Sequence, residues 1–307
     1  MKKIAVALLI LIAVIAVSLA QFLGNAEQGV EMILESELLR SRGLEAQIPD
    51  DSYYRFLDGR VALEIALRVP GIYGAYYFTP GGWTDVLIAE LVEVSEAGMR
   101  FAKDWLGISV NEPLSFVFNA TQPDSDHPFP IWSGGAVLGT STYISMNTRR
   151  MPALIVHEAV HAILRYDERL SNFPMTPENS RWHGAMFLEE GLANVVEFLF
   201  FAEAEHRYYL HGRSNRRQVA ENYLHNAALR TFRHNDNFED EAEFGTRYPE
   251  LMSYETAASF IYFLLTYHGS VEDFLRVFDD IDLMEEVYGR SMDDMIGEWL
   301  AYLDGFR

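Results

Sequence analysis

Two histidines four residues apart with a glutamate beside the first, His157-Glu158-Ala159-Val160-His161, constrain this chain more than any other feature. On an α-helix, side chains at i and i+4 lie one above the other, so both imidazoles project the same way and can share one cation. The surroundings suit a helix. Pro152 fits a first turn, where a missing N–H loses no bond. Leu154, Ile155, Val156, Val160, Ile163 and Leu164 supply a broad apolar surface. Glu158, one position round from His157, is placed to receive a proton from a metal-bound water. Zinc lowers the pKa of such a water to about 7, so hydroxide becomes available near neutrality. The competing reading of the pentapeptide is a buried helix whose histidines are satisfied by hydrogen bonds.

A catalytic zinc site takes three protein ligands and keeps one position for water. The segment Phe187-Leu188-Glu189-Glu190-Gly191-Leu192-Ala193-Asn194 opens a second strongly helical stretch that runs to about Ala204. Together the two segments resemble the gluzincins of the peptidase MA-like superfamily, in which a second helix with a hydrophobic-x-Glu-Gly-x-Ala pattern supplies the third ligand. Leu188, Glu190, Gly191 and Ala193 match that pattern. The resemblance implies one zinc ion held by His157, His161 and Glu190, with Glu189 as the spare carboxylate. It also implies that small Gly191 and Ala193 let the two helices approach closely enough for Glu190 to reach the metal. Asn194, one turn on, either orients a ligand histidine or is a plain helix-face residue. Glu197 extends the same row as a satisfied polar residue.

Twenty-eight residues (162–189) separate His161 from Glu190, more than in the best-known gluzincins. Within them Arg165 to Met186, with Pro174 and Pro177, reads as a loop over the site. Spacing tells against the metzincin alternative. That pattern needs a glycine three residues after the second histidine and a ligand three further on, where this chain has Leu164 and Asp167. Asp167 and His183 are the lesser third-ligand candidates. Two imidazoles and a carboxylate also accept other divalent ions.

The resemblance implies an α+β, zincin-like metallopeptidase fold, with a small mixed sheet packed on the motif helix and a mostly helical C-terminal lobe. In such folds an edge strand above the motif helix pairs with extended substrate, and Val137 to Met146 resembles that strand by position. The run from Ser253 to Leu264 resembles the family's helix after the ligand helix. The terminal Gly289 to Trp299 resembles its closing helix. Tyr254 is therefore the candidate donor to a developing oxyanion, with His234 and Tyr248 behind it. The implied activity is zinc-dependent hydrolysis of a peptide or protein substrate, with Glu158 as general base. Two alternatives stand beside it: an exported or membrane-tethered zincin-fold binding protein without turnover, and a helical envelope protein without metal. Glu158 favours the first reading, because a purely structural zinc site is closed by four ligands and has no use for a base.

Composition bounds the rest. With 307 residues, 49% of them hydrophobic, the chain can bury a full core. Met1 to Ala20 reads as a leader. Lys2 and Lys3 precede an apolar run from Ile4 to Val17, and Ser18 and Ala20 fit signal-peptidase cleavage. The rival is an uncleaved anchor through residues 4–20. Either way the catalytic part is expected outside the cytoplasm, periplasmic, extracellular or anchored at the outer membrane face. Without cysteine, neither lipid attachment, nor a disulfide, nor a thiolate zinc ligand is available. The net charge of −21 and just three lysines (Lys2, Lys3, Lys103) leave no basic stripe, so nucleic acid is not an expected partner.

The expected organisation is a leader (1–20), a helical and irregular extension (21–80), an α+β lobe with the metal site (81–204) and a helical lobe (205–307). Within it, helices are expected over Glu27–Arg42, Gly81–Leu106, Arg216–Arg230, Ser253–His268, Val271–Asp280 and Met292–Leu303. Strands are expected over Pro113–Asn119 and Gly134–Met146. Residues 44–80 carry no clear periodicity.

Overall fold

The computed structural model describes residues 30–56, 61–110, 114–120, 135–138, 141–145, 151–166, 170, 187–203, 225 and 254–305. The leader, Asp167, His183, the helix expected over Arg216–Arg230 (apart from His225), His234 and Tyr248 lie outside them, as does the side chain of Tyr254. Among the described residues no helix is long and apolar enough to cross a membrane.

The fold is mixed α+β. Helix α1 (Glu37–Ser41) starts at Ser36, whose extended backbone and hydroxyl cap the Leu39 N–H at 3.3 Å. The amphipathic helix expected over Glu27–Arg42 is therefore broken at Ser36, because a serine side chain competes for backbone donors. The Ser36 hydroxyl also donates to the Asp85 carboxylate at 2.7 Å, tying this entry segment to the first residue of the long helix α2 (Asp85–Leu106). That helix runs as its caps dictate. Thr84 accepts from the Leu87 N–H, and Gly107, at φ 64°, takes the left-handed conformation that glycine adopts most easily.

Strands β1 (Tyr53–Phe56) and β2 (Val61–Glu64) make a two-stranded antiparallel ribbon. A five-stranded sheet follows. Its first pair is β3 (Leu67–Pro70) and β4 (Gly74–Phe78), antiparallel. Next comes β5 (Leu114–Asn119), parallel to β4 across α2, as a crossover helix requires. The remaining strands are β6 (Gly135–Leu138) and β7 (Ser141–Ser145), in the spatial order β3-β4-β5-β7-β6. The single strand expected over Gly134–Met146 is thus a hairpin, with Val137 opposite Thr142. Interior β7 runs parallel to β5, and β6 forms the antiparallel edge. All of β1 to β4 come from residues 44–80, where no periodicity announced them, and β3 and β4 join the larger sheet. Their turn is clamped by Glu96 of α2, whose carboxylate accepts from the N–H groups of Ile72, Tyr73 and Gly74 and from the Tyr76 hydroxyl at 2.6 Å.

Alternation along the strands separates two faces. Leu67, Val69, Tyr76, Phe78, Phe116 and Phe118 join the main core with the helices. Ile65 and Val117, with Tyr54, Leu63 and Tyr77 against them, form a small separate cluster. On the helical side α3 (Met151–Tyr166) packs on α2 and against β6 and β7. Helix α4 (Phe187–Glu203) packs on α3, and α5 (Tyr254–Tyr267) on α4. A Cβ at Gly98 would lie 2.8 Å from Val156 Cγ2, so α2 and α3 meet closely there. Gly191 has a different partner from the one expected. A Cβ on it would lie 2.9 Å from the Ala257 carbonyl oxygen, so this glycine brings α4 to α5 rather than to the motif helix. Helices α6 (Val271–Asp279), α7 (Met284–Tyr288) and α8 (Met292–Asp304) close the chain. The first and last start at capping boxes, Ser270 with Asp273 and Ser291 with Asp294.

Candidate metal centre

Helix α3 buries its apolar surface on two sides, and its polar stripe faces α4. His157, Glu158 and His161 are all buried on it, at 8%, 7% and 6% exposure. Burying three ionisable groups on one helix is unfavourable unless partners answer them. The partners come from the first three turns of α4. Glu190 Oε2 lies 2.7 Å from His157 Nε2 and 3.4 Å from His161 Nε2, and the two Nε2 atoms are 3.1 Å apart. The potential ligand atoms of His157, His161 and Glu190 all lie within 4.8 Å of one another.

The outer nitrogens explain why the inner ones converge. His161 Nδ1 lies 2.7 Å from Glu189 Oε1, and His157 Nδ1 lies 3.7 Å from Glu197 Oε2. A carboxylate beside Nδ1 favours the proton there and turns the Nε2 lone pair inward. Two lone pairs and an anionic oxygen then share one small space, an arrangement that needs positive charge in it. Zinc–nitrogen bonds of about 2.0 Å at tetrahedral angles put two ligand nitrogens roughly 3.3 Å apart, and the three separations here bracket that value. The donor set therefore fits a small divalent ion.

Proton affinities carry the same message. Burial pushes the His157 imidazole down, yet the Glu190 and Glu197 carboxylates hold it up, at about 9. Burial likewise opposes charge on His161, and Glu189 and Glu190 outweigh it, so its pKa stands well above the ordinary histidine value. Glu190 is desolvated too, but the two histidines hold it well below the usual carboxylate range. Glu158 differs: burial raises its pKa, with the charges of His161 and His157 pulling the other way.

Asn194, left open between two readings, donates its amide to the Glu190 main-chain carbonyl at 2.9 Å within its own helix, in line with the helix-face reading. Two expectations change in detail. Glu189 faces the outer nitrogen of His161 rather than serving as a spare ligand. Glu197, read from sequence as merely satisfied, stands behind His157. Its signal was available in the spacing: Glu190 and Glu197 are seven residues apart and so share a helix face. Tyr254 is the first residue of α5, the helix packed on α4. Comparison with protein-family models and with curated proteins finds no match.

Proposed function

We propose that this chain is a zinc-dependent peptidase of gluzincin type with a zincin-like fold, acting outside the cytoplasm. The observation that carries the proposal is the convergence of His157, His161 and Glu190, with Glu158 buried one residue from the first ligand. The edge strand β6 beside α3 supports the fold, and the apolar run from Ile4 to Val17 supports the location.

His157, His161 and Glu190 would hold the ion. When bound, it supplies Lewis acidity toward a carbonyl oxygen and makes water more acidic. Glu158 takes the proton of the attacking water and returns it to the leaving amine. A carboxyl raised by burial is better matched to that exchange near neutrality than an exposed one. Glu189 and Glu197 keep the two imidazoles oriented. Tyr254, on the resemblance, donates to the developing oxyanion. An extended peptide would lie along β6, main chain to main chain.

The test is turnover of an unstructured protein and a broad peptide panel by the zinc-supplied chain, with Glu158→Gln beside it. Cleavage by the wild type and its loss in Glu158→Gln at unchanged metal content is the expected result. Identical behaviour of the two proteins on every substrate would remove the peptidase claim.

A further inference from the structure

The sheet face turned away from the metal centre carries a cleft of about 290 Å³. It lies between the Gln47–Tyr54 segment and strands β3 and β4, and it is lined among others by Ile48, Asp50, Tyr53, Tyr54, Arg68 and Tyr77. Sheet register fixes its floor. Arg68 and Tyr77 are paired neighbours on β3 and β4, and both point opposite to Leu67, Val69, Tyr76 and Phe78, which face the helices. A pair of backbone bonds between Gln47 and Arg68, each 2.8 Å, holds one wall in place.

Arg68 is the unusual group. Its guanidinium lies 5.9 Å from the centre of the Tyr77 ring, and Tyr77 in turn lies 4.7 Å from Tyr54. The Nε–H is buried without a hydrogen-bond partner. No carboxylate among the described residues forms an ion pair with Arg68, although acidic residues outnumber basic ones 45 to 24. One acid of the cleft, Asp51, is engaged elsewhere, by Arg55 and by the Tyr53 N–H. A buried N–H of a cationic group left unanswered is unfavourable. A ligand acceptor seated in the cleft would answer it.

We propose that this cleft binds a small monocarboxylate with an aromatic body, its carboxylate on Arg68 and its ring among Tyr53, Tyr54 and Tyr77. A guanidinium edge matches a carboxylate, and tyrosine faces match a flat apolar group. Asp50 and Asp51 on the same wall disfavour a multiply charged anion such as phosphate. The volume is at the small end for ligand sites and suits one ring with a short chain rather than a long polymer. The inference is independent of the metal centre, which lies among α3 and α4 across the sheet.

The test uses the full chain and 3-phenylpropanoate, its neutral amide and inorganic phosphate, each titrated by calorimetry and by the Arg68 Nε–H resonance. Gly-Phe and Gly-Phe-amide distinguish a peptide C-terminus from a free acid as the source of the carboxylate. The expected result is saturable binding of the carboxylates with Kd on the order of 0.1–1 mM. The amides should bind at least about tenfold more weakly, and the Arg68 Nε–H signal should shift on binding. Arg68→Gln should remove carboxylate binding, and Tyr54→Leu, which leaves every charge in place, should weaken it several-fold. Either variant is read only with an unchanged circular dichroism melt, and the wild-type resonance test needs neither. Absence of saturation by any carboxylate, equal binding of acid and amide, or preferential binding of phosphate would each overturn the proposal.

Discussion

His157 and His225 are both buried imidazoles, 8% and 0% exposed, yet their surroundings push them in opposite directions. Around His157 two carboxylates outweigh burial and hold the ring at about 9. His225 lies 2.8 Å from the Ser259 hydroxyl, between the rings of Tyr262 and Tyr302, and burial lowers it to about 4. Ser259 also accepts from the Trp299 indole at 3.1 Å, so that site is a neutral hydrogen-bonded knot inside the C-terminal helices. The lesson is that burial alone does not make a cation site. What sets His157 apart from His225 is the pair of carboxylates, Glu190 and Glu197, that α4 brings against it.

The comparison can be broken most sharply at Glu158. Glu158→Gln should lower peptide turnover by about 10²–10⁴-fold while metal content stays the same, read by initial rates and metal analysis on one preparation. Next come the outer carboxylates. Glu189→Gln and Glu197→Gln should each weaken metal affinity by about 10–100-fold without abolishing it, as measured by competition with a chelator. Glu189 should give the larger loss, since its 2.7 Å contact is the tighter of the two.

The neutral site predicts a pH effect. An unfolded chain takes up a proton at His225 near 6.5, whereas the folded chain resists until about 4. That stability is therefore fully present above pH 6.5 and drains away as pH falls toward 4, by on the order of 3 kcal/mol. Denaturant unfolding of His225→Gln should show a correspondingly flatter decline across that window than the wild type. Gly191→Ala, at the α4–α5 contact, should destabilise by about 1–3 kcal/mol, because the added methyl meets main chain that cannot swing aside. The smallest effect is expected at Ser270→Ala, about 1 kcal/mol from the lost cap of α6.

What the sequence made legible follows from how local each feature is. The C-terminal limit of α2 and the start of α8 come from capping residues within a few positions, so Gly107 and Met292 were readable directly, whereas α2 starts at Asp85 behind its Thr84 cap and not at the expected Gly81. His157, Glu158 and His161 were readable because helical period alone aligns them. Strands β3 and β4 were not. Their pairing depends on β5, about forty residues on, and on the Glu96 carboxylate that clamps their turn. Strands β6 and β7 read as one strand because both are short and just Gly139 and Thr140 separate them in sequence. Glu190 came from a resemblance rather than from spacing, and the helix that Gly191 faces is a tertiary fact that no local pattern encodes.

Metal content measured after zinc-supplied purification tests the central claim most directly. The account predicts one tightly held divalent ion per chain in the wild type, its loss in Glu190→Ala and in His161→Ala, and its retention in Glu158→Gln. A wild type without metal, or a Glu190→Ala variant that keeps the ion at full affinity, would contradict it.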